Sequence, residues 1–152
     1  MWPLLMMCCR IASSDDKTSS LMENPCFAAL APTDAGMDFG FPVVSHPTQS
    51  GTAYLLPLES DEYRCTPDGH CVVWKTEDKG STWRPLTNGL PQDNAHLTIL
   101  RDGFTSDGLG PSGLYFGTRT GELFASTDDG DTWRELASHL PPIMSVRAAP
   151  VR

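Results

Sequence analysis

The amino-acid sequence predicts an all-β fold made of two consecutive copies of a four-stranded antiparallel unit. Three observations lead to this prediction. Glycine and proline number 13 each in 152 residues, which exceeds their usual share and indicates many turns between short elements. Short apolar runs of strand-like pattern recur along the chain, and no segment of helical period competes with them. Finally, one turn-forming motif occurs twice at a fixed spacing.

The repeated motif occupies Thr76–Trp83 and, 50 positions later, Ser126–Trp133. The matching positions are Thr76, Asp78, Gly80, Thr82 and Trp83 in the first copy and Ser126, Asp128, Gly130, Thr132 and Trp133 in the second. The match continues past the tryptophans, where Arg84, Leu86, Leu90 and Pro91 recur as Arg134, Leu136, Leu140 and Pro141. A period of about 40 to 50 residues with strand patterning is typical of β-propeller blades, each of which is a four-stranded antiparallel sheet.

Four strands are predicted in each copy. They are Phe41–Ser45, Thr52–Leu56, Cys71–Lys75 and Trp83–Leu86 in the first, and Leu97–Arg101, Leu114–Thr118, Leu123–Ser126 and Trp133–Leu136 in the second. The chain therefore divides into a leader (1–36), a first blade (37–92) and a second blade (93–152). The apolar tail Ile143–Ala148 is predicted to add a strand that starts a next blade or closes the ring against the first.

The leader fits neither copy and is predicted to be poorly structured, because it shows no sustained periodicity. Within it, Ser14–Leu21 keeps the serine and aspartate of the motif but has Thr18 in place of the glycine and Leu21 in place of the tryptophan. This segment is either the remnant of a third blade or an ordinary Ser/Asp loop. The abrupt start of the pattern near Met37 suggests a truncated or frame-shifted reading of a longer propeller.

The residue types of the motif suit a self-supporting turn between two strands. An aspartate such as Asp128 accepts backbone N–H bonds locally, and Gly130 supplies the positive φ that a residue with a Cβ resists. The hydroxyls at either end satisfy further backbone groups, and Trp133 buries a large ring as the next strand begins. We therefore interpret Asp78 and Asp128 as turn stabilisers and not as acid/base catalysts, and predict no catalytic, cofactor or metal site.

The pattern [S/T]-x-D-x-G-x-T-W resembles the Asp box of the BNR repeat family, which includes sialidases, sortilin-type receptors and bacterial YVTN/BNR-like propellers. Met37–Pro42, Thr98–Asp102 and Leu114–Thr118 are also similar to bacterial proteins labelled exo-α-sialidase-like or glycosyl-hydrolase-like. The resemblance covers residues 37–152. It implies a β-propeller, of which this chain holds two blades where a closed ring needs about four or more.

The resemblance implies a fold and not a reaction, because Asp boxes of the family lie on outer loops away from the central face. The arginine cluster, Tyr/Glu pair, acid aspartate and Arg-Ile-Pro motif of sialidases find no match here. Glycosidases need two carboxylates at a set separation, but Asp61, Glu62, Asp102 and Glu122 fit exposed acidic loops better. The sequence thus favours a noncatalytic binding or structural scaffold. The alternatives are an inactive fragment of a sialidase-like glycoside hydrolase and self-assembly of several chains into one ring.

Charge and composition limit the partners. The formal net charge of −8 argues against nucleic acid and anionic lipid, since both attract a basic face. No apolar run approaches the roughly 20 residues of a membrane span, and no signal peptide is evident, so a cytoplasmic location is expected. Carbohydrate or protein, bound through the propeller face that further blades would complete, is the expected class of partner.

The five cysteines are an odd number without metal-ligand spacing; they are Cys8, Cys9, Cys26, Cys65 and Cys71. Cys65 and Cys71 flank a turn-forming stretch, which suits either a disulfide across a hairpin or two free thiols. His70 between them would leave a metal short of a fourth ligand. The same hairpin is longer than its counterpart in the second copy, as expected for a binding loop or for tolerated extra length.

Overall fold

The computed structural model describes residues 40, 42–60 and 62–149, and within them eight strands form two four-stranded antiparallel sheets. The strands are β1 (Val43–Ser45), β2 (Ala53–Leu55), β3 (Val73–Thr76), β4 (Arg84–Leu86), β5 (Ile99–Ser106), β6 (Leu114–Thr118), β7 (Leu123–Ser126) and β8 (Arg134–Ala137). Each sheet is a simple up-and-down meander, in the orders β1-β2-β3-β4 and β5-β6-β7-β8. The prediction of an all-β fold with two four-stranded blades is confirmed; we call the sheets blade one and blade two.

Strand pairing matches most positions of the two blades, apart from register shifts at β5 and β8 of blade two. Tyr54 of β2 lies opposite Lys75 of β3, and Tyr115 of β6 lies opposite Ala125 of β7, the residue 50 positions after Lys75. The connection that follows the first strand is also matched, because His46 N–H donates to the carbonyl of Thr52. In blade two, the N–H of Asp107 donates in the same way to the carbonyl of Gly113. Tyr54 and Tyr115 are therefore equivalent, and so are His46 and Asp107.

Two predicted strands need correction, the first strand of blade two and the strand predicted for the tail. The first strand of blade two, predicted to end at Arg101, continues as β5 to Ser106, with a shift of register between Ile99 and Phe104. The polar run Arg101-Asp102-Gly103 looks like a loop in sequence, but a local irregularity carries the strand through it.

The tail Ile143–Ala148, predicted as a strand, is not a strand in the structure. The N–H of Ile143 donates to Thr118 O at 3.0 Å, and that of Val146 donates to Asp102 O at 2.9 Å. These bonds reach two different strands, β6 and β5, so they form no ladder. The tail therefore packs across blade two instead of extending it.

The buried core lies between the blades as well as within them. Tyr54 and Leu86 of blade one join Leu114, Phe116 and Trp133 of blade two in one hydrophobic cluster. Burial of this kind is the main stabilising contribution in a small all-β protein. The two sheets thus share one core.

The longer hairpin of blade one is fastened to the segment that connects the blades. Thr66 N–H donates to Leu97 O at 2.9 Å, and Cys71 N–H donates to Pro91 O at 3.0 Å. In the other direction, Ala95 N–H donates to Gly69 O at 2.7 Å. The extra residues therefore form a fixed connection and not a free loop. Across the described part of the chain, we find no helix long and apolar enough to cross a bilayer.

Candidate functional site

The first repeat turn, Thr76–Trp83, joins β3 to β4 and is organised around Asp78. Asp78 Oδ1 accepts the backbone N–H of Thr82 at 2.8 Å, and Oδ2 accepts the Thr82 hydroxyl at 2.6 Å. The Thr76 hydroxyl donates to Asp78 Oδ1 at 2.9 Å and accepts the N–H of Gly80 at 2.8 Å. The repeated polar side chains of the motif are therefore bonded within the same turn.

The second repeat turn, Ser126–Trp133, joins β7 to β8 and repeats these bonds. Asp128 accepts the Thr132 N–H at 2.9 Å and its hydroxyl at 2.6 Å. The Ser126 hydroxyl donates to Asp128 at 2.7 Å and accepts the Gly130 N–H at 3.0 Å. Serine and threonine are interchangeable at this position because only the hydroxyl is used.

The same hydrogen bonds keep both central carboxyls ionised. Those from the Thr82 hydroxyl and N–H lower the pKa of Asp78 to about 2. Burial tends to raise the pKa of Asp128, but hydrogen bonds from Thr132 and Ser126 outweigh it and the pKa is lowered. A carboxylate held in this way is a poor proton donor at neutral pH.

Both turns place two consecutive residues at positive φ. In the first they are Lys79 (63°) and Gly80 (93°), and in the second Asp129 (58°) and Gly130 (89°). Glycine adopts this conformation without a steric cost, and aspartate tolerates it better than most residues. The backbones of the two turns are thus alike, while the side chain that precedes the glycine differs in charge.

The two tryptophans that end the turns differ in burial. Trp133 is only 5% exposed, and its ring centroid lies 5.3 Å from that of Phe116. Its backbone N–H donates to Asn88 O of the β4–β5 connection at 2.9 Å, so this residue also ties the blades together. Trp83 is half-buried. The second turn is covered more fully because it faces blade one.

A hydrogen bond that the sequence did not predict crosses the contact between the blades, from a histidine to a carboxylate. His46 Nε2 lies 3.0 Å from Asp129 Oδ1, and only 1% of the His46 side chain is exposed. His46 Nδ1 accepts the backbone N–H groups of Thr48 and Gln49 at 3.2 and 3.1 Å. Because Nδ1 is an acceptor, the proton is on Nε2 and is donated to Asp129. Both ring nitrogens are therefore occupied, and the imidazole is not free to act as a base.

Asp129 is further fixed by its own blade, since its Oδ1 accepts the N–H of Ser112 at 2.6 Å. Burial tends to raise the pKa of Asp129, but the bonds from Ser112 and His46 outweigh it and the pKa is lowered. Nearby, Arg84 and Asp131 form an ion pair across the blades at 3.0 Å, in a more exposed position. In the sequence, these contacts are signalled by two acidic residues, Asp129 and Asp131, at the unspecified motif positions on either side of Gly130.

The carboxylates considered as glycosidase candidates lie in different parts of the structure. Asp102 of β5 pairs with Arg147 at 3.4 Å and lines a cleft of about 360 Å³, whose other lining residues include Arg64, Arg101 and Met144. Glu122 accepts the hydroxyls of Thr118 and Thr120 in the β6–β7 turn. Glu62 is exposed in the β2–β3 connection, and Asp61 lies outside the described residues. The described candidates thus lie in three different elements: β5, the β6–β7 turn and the β2–β3 connection.

Cys65 and Cys71 are free thiols, which decides between the two alternatives for this pair. Burial raises the pKa of Cys71 to about 12. Burial and the acceptor Glu59 raise the pKa of Cys65. Among the residues that the structure describes, including His70, there is no cluster of metal-binding side chains. Cys8, Cys9 and Cys26, with the rest of 1–39, lie outside the described residues.

Comparison with known proteins supports the fold. No family model matches the chain. No curated protein matches it. Among solved structures, it is similar to the GH74 enzyme of Niastella koreensis, a propeller-type glycoside hydrolase, with a TM-score of 0.51 and 19% sequence identity. The alignment covers 72% of this chain and 16% of that enzyme. At this identity the similarity shows a shared β-propeller architecture. This chain spans about a sixth of the enzyme's length.

Proposed function

We propose that the chain is a noncatalytic BNR/Asp-box propeller segment that acts as a binding or structural scaffold. The observation that carries the proposal is that the Asp78 and Asp128 carboxylates accept hydrogen bonds from within their own turns. Such a carboxylate stabilises its turn, because three hydrogen bonds to it already come from within that turn. The Asp-box resemblance of both turns supports the same role.

A carbohydrate or protein is the partner that we propose, bound through a face completed by further blades. The cleft beside β5 is the part of this surface that the described residues supply. It combines cationic and anionic side chains, Arg101 and Asp102, with the apolar side chain of Met144. Hydrogen-bonding groups beside an apolar patch suit sugar rings and peptide segments alike. A cytoplasmic location remains part of the proposal, and fractionation of cells that express the tagged chain tests it.

Turnover and binding assays on the purified full chain test the scaffold proposal. We expect no hydrolysis of a panel of aryl glycosides and sialosides. We expect calorimetric titration with oligosaccharides and glycopeptides to detect a ligand whose affinity falls in the Arg101→Ala variant. The matched control is Arg119→Ala, which removes an exposed arginine from the β6–β7 turn. Hydrolysis by the wild-type chain, lost in Asp102→Asn, would contradict the proposal.

A second candidate is a fragment of a glycoside hydrolase that is inactive alone. It is favoured by the similarity to the GH74 enzyme together with the small share of that enzyme that the chain spans. In this case the missing blades would supply the remaining catalytic groups. The test is to clone the surrounding genomic region and assay any longer propeller that contains this segment. Hydrolysis by the longer protein that requires Asp102 supports the fragment, whereas binding without hydrolysis supports the scaffold.

A further inference from the structure

Each blade has two faces, and the structure shows one matched pair of faces in contact. Blade two presents its repeat turn to blade one: a Cβ added at Gly130 would lie 2.7 Å from Leu86 Cδ1 and 3.6 Å from the Tyr54 ring. Blade one presents His46, Tyr54 and Leu86 to that turn. We call these the turn face of blade two and the receiving face of blade one. The equivalent turn face of blade one and receiving face of blade two meet no described blade.

The receiving face of blade two is built like that of blade one. Asp107 Oδ1 accepts the N–H groups of Leu109 and Gly113, at 2.9 and 3.0 Å. His46 Nδ1 accepts N–H groups of its own turn in the same manner, including that of the residue two positions later. Asp107 therefore holds its turn with Oδ1. Its other carboxylate oxygen, Oδ2, corresponds to His46 Nε2, the atom that bonds the repeat turn of the neighbouring blade.

Exposure shows that these two faces are less covered than the pair in contact, although the tail packs against part of blade two, where a Cβ added at Gly117 would clash with Ile143. Leu86 is 4% exposed, but Leu136, which lies 50 positions later at the register shift of β8, is 48% exposed. Tyr54 is fully buried, whereas Tyr115 is half-buried. On the turn face, Gly130 is buried and Gly80 is half-buried. Residues that are exposed where their counterparts are buried in a contact mark an unfilled interface.

The charges on these two faces are complementary. The residue that meets His46 is Asp129, and the equivalent residue of the first repeat turn is Lys79. Both N–H groups donate to the matching carbonyl, Lys79 to Gly51 O at 2.9 Å and Asp129 to Ser112 O at 3.2 Å. Docking of the blade-one turn face onto the blade-two receiving face would thus bring Lys79 to Asp107, as Asp129 meets His46. The acidic and basic partners are exchanged, and the attraction is retained.

We propose that a second copy of this chain docks head to tail, with its first repeat turn on the receiving face of blade two and its Lys79 against Asp107. The contact would also cover Tyr115 and place Ser81 near Arg134, the counterparts of Asp131 and Arg84. Such a heterologous contact repeats until a ring closes, and a propeller of about four or more blades requires at least two chains. This contact between blades is the same whether the chain is a scaffold or a hydrolase fragment.

Charge reversal tests the contact in the full chain. We expect light scattering and sedimentation velocity to show a mass that rises with concentration to a multiple of the monomer. Lys79→Asp should raise the dissociation constant roughly tenfold or more, because its carboxylate then faces that of Asp107. Asp107→His should also weaken association, because it removes the acidic partner of Lys79 while its Nδ1 can still accept the N–H groups of the turn, as His46 Nδ1 does. The double variant should return it towards the wild-type value. The control Arg119→Glu reverses an exposed charge at the other end of the sheet and should have no effect.

Rescue by the double variant is the decisive outcome, since a folding defect in either single variant would not be repaired by the other. Circular dichroism of each variant separates loss of fold from loss of association. A monomer at every soluble concentration would overturn the proposal and would indicate that another part of the chain or a different protein covers these faces. Association that is unaffected by all three charge variants would overturn it too, because it would use another surface.

Discussion

His46 and Asp129 are separated by 83 residues in the chain and are joined by a 3.0 Å hydrogen bond from His46 Nε2 to Asp129 Oδ1. The bond links the end of the first strand of blade one to the repeat turn of blade two. Because the imidazole is buried, it depends on this acceptor to satisfy its N–H group. The pair therefore reports directly on whether the two blades are docked.

Removal of the Asp129 carboxylate should destabilise the docked blades. We expect Asp129→Ala to lower the free energy of unfolding by about 1–3 kcal/mol, because it leaves the buried His46 N–H without a partner. Lys79→Ala is the control, since Lys79 has the same positive φ without the interblade bond. Urea unfolding measures both. Equal losses in the two variants would mean that backbone strain alone, and not the hydrogen bond from His46, explains the effect.

The same carboxyl should make stability depend on pH. The pKa of Asp129 is lowered in the folded chain, so its contribution is present above the unfolded value of about 3.9. As pH falls through the folded pKa, the carboxylate is protonated and the contribution is lost. Urea midpoints measured from pH 6 to pH 2 should fall more steeply for wild type than for Asp129→Asn. Parallel curves would show that Asp129 is not a source of the acid sensitivity.

The carboxyl of Asp78 should titrate near pH 2, because the Thr82 hydroxyl and N–H bind its ionised form. Carbon-detected NMR of the side-chain carboxyl measures this directly. In the Thr82→Val variant, which keeps the N–H and removes the hydroxyl, we expect the pKa to rise towards its ordinary value of about 3.9. An Asp78 pKa near 4 in the wild-type protein would sink the turn-stabilising interpretation.

A methyl group at Gly130 should separate the blades. In Gly130→Ala the new Cβ meets Leu86 Cδ1 at 2.7 Å, and the residue keeps a φ of 89°. Gly108→Ala is the matched control, because Gly108 has a φ of 77° and a Cβ added there would meet nothing within 4 Å. Both variants carry backbone strain, and only the first adds overpacking of typically about 1–3 kcal/mol. Thermal unfolding that gave identical losses would show that the turn is not packed against blade one.

Truncation of Trp133 should cost about 3–5 kcal/mol, because the buried indole leaves a large cavity in the shared core. Trp83→Ala should cost less, since its ring is half-buried. Urea melts of the two variants provide the comparison. A loss under about 1 kcal/mol for Trp133→Ala would contradict its place in the core.

The local part of the structure was predictable from sequence because it rests on short-range patterns. The eight strands follow alternating apolar residues and turn signals, and β6 and β7 have the predicted bounds. The strand predicted for Ile143–Ala148 was wrong, because apolar content alone does not show whether a partner strand exists. The end of β5 was missed, since a bulge permits polar residues within a strand.

The contacts between the blades were not predictable in the same way. The bond between His46 and Asp129 depends on docking two sheets, and no spacing along the chain encodes it. Asp107 looks like a residue of an ordinary turn until strand pairing shows that it occupies the position of His46. The role of such residues appears only when the blades are compared in space.

The single core shared by the two blades has a consequence for biosynthesis. Tyr54 and Leu86 are covered by residues near Gly130, which leave the ribosome after blade one is complete. Until then blade one exposes an apolar surface and unpaired strand edges, a combination that promotes aggregation of nascent chains. The two blades should consequently fold in one cooperative step late in translation, with chaperones protecting the first blade while it waits for the second.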